Sequence, residues 1–285
     1  MDTRPITRIR KNNQRPLSSL RIQAFQKKVY KYFAAQGRDL PWRKNPRPYR
    51  VLVSEIMLQQ TQADRVIEKY QKFLATFPDF PSLAKAPLKR LLSLWQGLGY
   101  NRRALALRAL AQTVVNGHQG RLPSNPAELI ALPGIGKYTA GAIAAFAFNK
   151  PVVFMDTNIR RVFIHEFFSD CENIQDGEIS QIIEQTMDTE NPRKWYNALM
   201  DYGAMLKKAH GNPNRKSAHY TRQSPFENSN RQVRGKILRI LVNGSPLSGL
   251  QIVKKSGMDA ERVKKNLVDL EKEGFIRRKG RVYVV

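Results

Sequence analysis

From Ile22 onward, Phe25, Val29 and Phe33 recur at a spacing of four, the stripe of a helix with one buried face. Leu40-Pro41-Trp42-Arg43 and Pro46-Arg47-Pro48 then break it. Up to residue 206 the helical period returns in segments separated by Pro and Gly. These predict helices near 49–59, 63–76, 87–95, 102–116, 126–131, 137–148, 157–168, 176–187 and 192–206. Alternating strand patterns are nearly absent, so the segment reads as all-α. The first twenty residues lack the period, carry Pro5 and Pro16, and read as a disordered basic tail. Over 207–230 the pattern dissolves into Lys207, Lys208, Arg215, Lys216 and Arg222 among Asn and Ser, a basic linker expected to lie along a partner. Helices over 232–242, 247–255 and 259–273 follow, and then a hairpin from Phe275 to Val285 with Lys279-Gly280 at its turn. Three helices and a β-hairpin are the winged-helix arrangement. The expected class is therefore mainly α with a small α+β domain at 231–285, after a helical domain over 21–206.

Charge changes the picture more than size does. Lys+Arg number 49 against 23 Asp+Glu, a net charge of +26 over 285 residues, which points to a polyanionic partner. In the winged helix, Arg262, Lys264 and Lys265 on the third helix and Arg277 and Arg278 on the hairpin are the candidate DNA contacts. Docking of a protein is the alternative use of such a module. Cys171 is the only cysteine, which excludes an internal disulfide and any site built from four thiolates. The longest apolar window, 140–155, is interrupted by Asn149 and Lys150 and falls short of the roughly 20 residues of a membrane span. The expectation is a soluble, cytoplasmic monomer, nucleoid-associated if prokaryotic, with no metal site.

Three features carry chemistry. Glu55 lies in Val51-Leu52-Val53-Ser54-Glu55-Ile56-Met57-Leu58, a carboxylate among apolar neighbours, where burial would raise its pKa. An ion pair with an arginine is the plainer reading. Asp156 follows the apolar run 151–155 and opens a helix, where it serves as an N-cap. Cap donors and the helix dipole would also keep it ionised. Between them, Leu132-Pro133-Gly134-Ile135-Gly136-Lys137 is a hairpin whose Gly134 and Gly136 let backbone N–H groups approach a phosphate, Lys137 adding charge. Read alone, the same pattern also serves as an ordinary helix connection.

Six stretches occur in the order found in helix–hairpin–helix base-excision DNA glycosylases. Besides the hairpin, they are Leu40-Pro41-Trp42-Arg43, Ser54-Glu55-Ile56-Met57-Leu58-Gln59-Gln60-Thr61-Gln62, Gly97-Leu98-Gly99-Tyr100, Met155-Asp156-Thr157-Asn158 and 200–205. Residues 38–206 resemble in particular the MutY-type adenine glycosylases. The resemblance implies a fold of two helical lobes, Glu55 as general acid and Asp156 as stabiliser of an oxocarbenium ion, with Asn158 orienting Asp156. It also implies that Gln60, Thr61 and Tyr100 probe the duplex beside an extruded nucleotide, with Arg43 also binding DNA and Gly134, Gly136 and Lys137 on its backbone. Tyr138 stands where bifunctional relatives carry a Schiff-base lysine, so hydrolysis without lyase chemistry is expected.

The chain departs from that family twice. Lys207 stands where the family's iron–sulfur loop begins, so no cluster is expected. The winged helix replaces the NUDIX-like domain that reads 8-oxoguanine. The expected activity is excision of mispaired adenine opposite guanine or 8-oxoguanine in double-stranded DNA. A thymine or uracil glycosylase and a non-catalytic DNA-binding regulator are the alternatives.

Overall fold

A computed structural model describes residues 16–244 and 246–285. Most of the tail expected over 1–20 lies outside the described residues. Its last part is ordered: Leu17 N–H donates to Gln185 Oε1 at 2.7 Å, and Ser18 caps a helix that begins at Ser19. The chain forms two compact units by internal contacts.

The first unit comprises the described residues up to Leu52 together with Pro123–Ala131 and Ile135–Arg222. Its helices are α1 (Ser19–Gln36), α2 (Pro41–Lys44), the first turn of α3 (Pro48–Leu58), α8 (Pro126–Ile130), α9 (Lys137–Phe148), α10 (Thr157–Phe167), α11 (Asp176–Thr186) and α12 (Pro192–His210). The apolar stripe of α1 does what its spacing predicts. Phe25 meets Phe163, Phe167 and Trp195 edge-on, with ring centroids 5.5, 4.9 and 5.6 Å away. Helix α9 is apolar on every side and is buried from Thr139 to Ala147. Small residues allow close approaches. A Cβ on Gly203 would stand 2.4 Å from the Asn158 carbonyl oxygen, and one on Gly141 2.5 Å from Phe154 Cβ.

The linker expected over 207–230 differs from the structure. Helix α12 runs on to His210, and a 3-10 turn at Pro213–Lys216 follows. Buried Asn214 donates to the Thr157 carbonyl at 2.8 Å, and Ile174 and Ser217 form a parallel bridge. Backbone groups thus find partners within the unit. A count of polar residues misses this, because the tethering is made by single side chains and one bridge.

The second unit comprises Val53–Leu122, Leu132–Gly134 and Gln223–Val285. It holds the rest of α3, α4 (Ala63–Thr76), α5 (Phe80–Ala84), α6 (Leu88–Trp95) and α7 (Arg102–Gly117) around Phe73, Leu91, Trp95, Leu107 and Leu110. It also holds the winged helix: α13 (Asn230–Asn243), β1 (Leu247–Ser248), α14 (Gly249–Ser256), α15 (Ala260–Lys272), β2 (Arg277–Lys279) and β3 (Val282–Val284). The sheet is antiparallel in the order β1-β3-β2, with Leu247 opposite Tyr283 and Arg278 opposite the same residue on the other side. Strand β1 is two residues long, too short to show alternation in sequence.

The winged helix is not a hanging appendage. Helix α13 packs on α6, Gln96 Nε2 donates to Asn243 Oδ1 at 3.1 Å, and Lys89 donates to the Gly244 carbonyl at 3.2 Å. Glu273 takes Arg102 of α7 at 2.7 Å and Arg234 of α13 at 2.6 Å. Hydrogen bonding from Arg102, with Arg234 beside it, holds the Glu273 carboxyl down at about 2. A depressed carboxyl stabilises the fold above its unfolded pKa, about 4.3, and loses that contribution as pH falls toward 2. Glu273→Gln is expected to lower the neutral-pH stability by about 1 kcal/mol, because Arg102 is largely exposed while Arg234 is partly covered. Its deficit against wild type should shrink between about pH 4.5 and 2. A deficit that grows on acidification would contradict the assignment.

Candidate functional site

In the first unit the functional groups gather at the start of α10. Asp156 has extended backbone and caps the helix, its Oδ1 accepting from the N–H groups of Asn158 at 2.8 Å and Ile159 at 2.7 Å. Asn158 Nδ2 donates to the other oxygen at 2.9 Å. Arg161 Nη1 in turn donates to Asn158 Oδ1 at 2.9 Å and to the Gly203 carbonyl at 2.7 Å, which fixes the amide. Without a side chain at 203, α12 comes close enough to supply that carbonyl.

The carboxyl's electrostatics differ from the expectation that capping keeps it low. Burial raises the Asp156 pKa above its ordinary value and outweighs the Ile159 and Asn158 donors and the Arg161 charge, which pull it down. The carboxyl is thus held in place while burial disfavours its charged form.

Tyr138 sits in the first turn of α9, its ring tilted against Phe154 with centroids 5.8 Å apart. The hairpin before it is exposed at Gly134, Gly136 and Lys137. Gly134 needs glycine twice over: its φ is +77°, and a Cβ there would stand 2.7 Å from Ala106 Cβ. Gly136 is the N-cap of α9, with nothing within 4 Å of where a Cβ would be, so that face is open to an incoming group.

In the second unit, Glu55 lies on α3 at 6 % exposure, between Val53 and the buried Ile56 and Met57. Beyond the end of α3, Gln60 takes φ +57°, and at the α6–α7 loop Tyr100 takes φ +46°. Two non-glycine residues in the left-handed region, both exposed, mark strained tips of the kind that gather at functional sites. Tyr100 Oη donates to Gln60 Oε1 at 3.3 Å, so the two tips meet.

Arg103, which periodicity alone did not single out, holds both loops. Its Nη1 donates to the carbonyls of Ile56, Met57 and Gln59 at 2.8, 2.9 and 2.5 Å. Its Nη2 donates to those of Leu98 and Gly99 at 2.9 and 3.0 Å and to Thr61 Oγ1 at 3.1 Å. Burial lowers its pKa to about 10. A signal was present: Arg103 occupies the same helical face as Leu107 and Leu110, where a charge is out of place.

Four residues expected at DNA have other occupations. Arg43 forks onto Asp201, Nη1 to Oδ2 at 2.7 Å and Nη2 to Oδ1 at 2.8 Å, and the Arg38 backbone N–H joins them at 2.8 Å. Burial would raise the Asp201 carboxyl, yet Arg43 and Arg38 bring it below its ordinary value, so this buried charge claims the arginine. Thr61 donates its hydroxyl to the Leu98 carbonyl at 3.2 Å and so braces the loop. In the winged helix, Arg262 is bonded to the Asn228 carbonyl at 2.7 Å and Lys264 pairs with Glu261 at 2.7 Å. Lys265, Arg277 and Arg278 stay exposed, the arginines on edge strand β2, where charge also discourages edge-to-edge pairing.

Among the described residues no helix is long and apolar enough to cross a membrane, and no group of three His, Cys, Asp or Glu is placed to hold a metal.

Comparison with known proteins bears on this arrangement. Residues 53–188 match the HhH-GPD superfamily base excision DNA repair protein family. An adenine DNA glycosylase of Buchnera aphidicola subsp. Baizongia pistaciae is 39% identical over 187 residues, 64% of this chain and 52% of the relative. The chain thus spans about half the length of that relative. A thymine/uracil-DNA glycosylase of Methanothermobacter thermautotrophicus is 31% identical over 187 residues, 65% of this chain and 85% of the relative. Among solved structures, a thermostable thymine-DNA glycosylase superposes with a TM-score of 0.61 at 28% identity, over 69% of this chain and 92% of that one. With the glycine hairpin, the capped Asp156 and a relative matched over most of its length, the chain belongs to the HhH-GPD superfamily of base excision DNA repair proteins.

Proposed function

We propose that this protein is a monofunctional DNA N-glycosylase that removes mispaired adenine, opposite guanine or 8-oxoguanine, from double-stranded DNA. The observation that carries the reading is Asp156: a desolvated carboxylate fixed by two backbone N–H groups and Asn158. The Asn158 amide fixes the second oxygen as well, beyond the two backbone bonds that make the cap. An oxocarbenium ion forming at C1′ of the deoxyribose gains from a fixed, poorly solvated negative charge. Glu55, 6% exposed on α3, takes the complementary role and delivers a proton to N7 of the departing adenine. The C1′–N9 bond breaks, the base leaves as neutral adenine with the acid's proton, and a water adds to C1′, its released proton restoring the Glu55 acid. Gln59-Gln60-Thr61-Gln62 and the 39% identity to an adenine DNA glycosylase favour adenine. The protein acts as a monomer and without an iron–sulfur cluster, since one cysteine cannot ligate one.

A second reading has its own support. The relative matched over 85% of its length is a thymine/uracil-DNA glycosylase, so thymine or uracil opposite guanine is the competing substrate. Incubating the protein, with no iron added, with duplexes carrying every mismatch and scoring alkali-labile sites distinguishes the two. Cleavage confined to the adenine strand supports the proposal, and cleavage of thymine or uracil opposite guanine replaces it. Binding without cleavage of any duplex leaves a DNA-binding regulator.

Borohydride is expected to trap no efficient covalent adduct with a substrate duplex, because the Tyr138 phenol cannot form a Schiff base. Strong trapping that disappears in Lys137→Ala would make the enzyme bifunctional.

A further inference from the structure

The segment from Gln223 into α13, within the second unit, meets the Gln60–Tyr100 pair. Gln223 Nε2 donates to Gln60 Oε1 at 3.2 Å and also to Tyr100 Oη. Arg231, in the first turn of α13, donates from Nη1 to Tyr100 Oη at 2.7 Å, its guanidinium 5.7 Å from the ring centroid. The phenol therefore donates to Gln60 and accepts from Gln223 and Arg231, which leaves its hydroxyl no freedom. The Gln60 carbonyl is taken twice, so only its N–H donors remain to address another molecule.

The segment is itself anchored. Arg231 Nη2 donates to the Ser224 carbonyl at 2.7 Å, and Arg262 of α15 holds the Asn228 carbonyl at 2.7 Å. Two arginines of the winged helix thus fix the residues that touch the strained loop tips. Arg103 secures those tips from within, and Gln223 and Arg231 secure them from outside. Tyr100 nevertheless keeps 38% of its surface exposed, so the winged helix presents the ring and does not cover it.

We propose that Gln223 and Arg231 are specificity-determining positioning residues. They hold the Tyr100 ring and the Gln60 amide in the one arrangement that reads the base left unpaired when its partner is extruded. This rests on the reading of Gln60 and Tyr100 as duplex probes. Ring and amide act together, the ring by stacking on a purine surface and the amide N–H by seeking a carbonyl acceptor; a guanine-type base offers both, whereas adenine lacks the carbonyl and thymine and cytosine lack the purine surface. Arg262, expected to meet DNA, acts instead one step behind them, through the segment it anchors.

The test needs no excision. Duplexes with a tetrahydrofuran abasic analogue opposite guanine, 8-oxoguanine, adenine, cytosine or thymine are titrated by fluorescence anisotropy, and the ratio of Kd values across opposite bases is read. If Arg231 also meets a phosphate, its replacement weakens all five complexes alike, and that effect cancels in the ratio. The wild-type chain is expected to prefer the guanine-type bases. Gln223→Met and Arg231→Met should flatten that preference at least fivefold with an unchanged melt, and Arg231→Lys should restore part of it. Preference unchanged in both variants but flattened in Tyr100→Ala overturns the proposal alone. Tighter binding to all five duplexes makes the segment an inhibitory latch and overturns it as well. A wild type without preference, or Tyr100→Ala without effect, overturns the probe reading and this proposal with it. Failure of wild type to excise adenine counts against the proposed activity only.

Discussion

Glu55→Gln is expected to slow single-turnover adenine excision by roughly 10²–10⁴-fold, the usual worth of a positioned acid, while duplex binding stays within about threefold. The side chain is 6% exposed on α3, and glutamine fills the same volume without carrying a transferable proton. Excess enzyme over an adenine–guanine mismatch isolates the chemical step, and a rate within tenfold of wild type would remove Glu55 from the acid role. Asp156→Asn sharpens the comparison. Asparagine is as good an N-cap as aspartate, so the bonds from Asn158 N–H and Ile159 N–H survive. Burial also raises the native carboxyl, so the neutral amide escapes a desolvation penalty and offsets a poorer fit to Asn158 Nδ2. Turnover should fall by roughly 10²–10³-fold while the melt moves by less than about 1 kcal/mol. Inactivity accompanied by a collapsed melt would mean that Asp156 is only a cap.

Arg103→Ala is expected to cost at least about 3 kcal/mol of stability, more than any surface substitution in this chain. The alanine takes the guanidinium from the carbonyls of Ile56 and Met57, while Leu98 keeps the Thr61 hydroxyl and Gly99 the Trp95 indole N–H, and each vacancy left costs about 1–3 kcal/mol where water cannot enter. In a protein of this size the midpoint should drop by on the order of 6–12 °C. Arg103→Lys should recover less than half, since one ammonium cannot fork across two loops. A drop under about 2 °C in Arg103→Ala would show that water or neighbouring side chains replace the guanidinium. The same variant should release Gln60 and Tyr100 from their left-handed backbone, because the guanidinium is what ties the two loop ends together from within.

How far the chain could be read in advance depended on what each feature requires. Long helices such as α7 and α9 declare themselves through many apolar positions, and Asp156 through a short polar signal after an apolar run. Elements of two to five residues, α2, α5 and β1, carry too few positions for a period and exist through tertiary contacts. Arg43 and Arg103 show a different limit. An arginine in a basic chain looks like a DNA contact until a buried acceptor is seen, and Asp201 or a set of carbonyls then claims it. Gln223 and Arg231 were unreadable for a related reason: their importance lies in touching Gln60 and Tyr100, more than 120 positions away.

The second unit is assembled from early and late stretches of the chain, Val53–Leu122 and Gln223–Val285, with most of the first unit encoded between them. During synthesis the early half must therefore wait for about 100 residues to be translated, roughly 5–20 s at ordinary elongation rates. Through that interval the face of α6 that receives α13 has no cover, and the loop tips lack their outer supports. The first unit is also incomplete until then, so neither can act as a finished template for the other. A newborn chain is thus expected to lean on holdase chaperones until its last helices emerge, and abrupt ribosome stalling between residues 123 and 222 should send it to proteolysis.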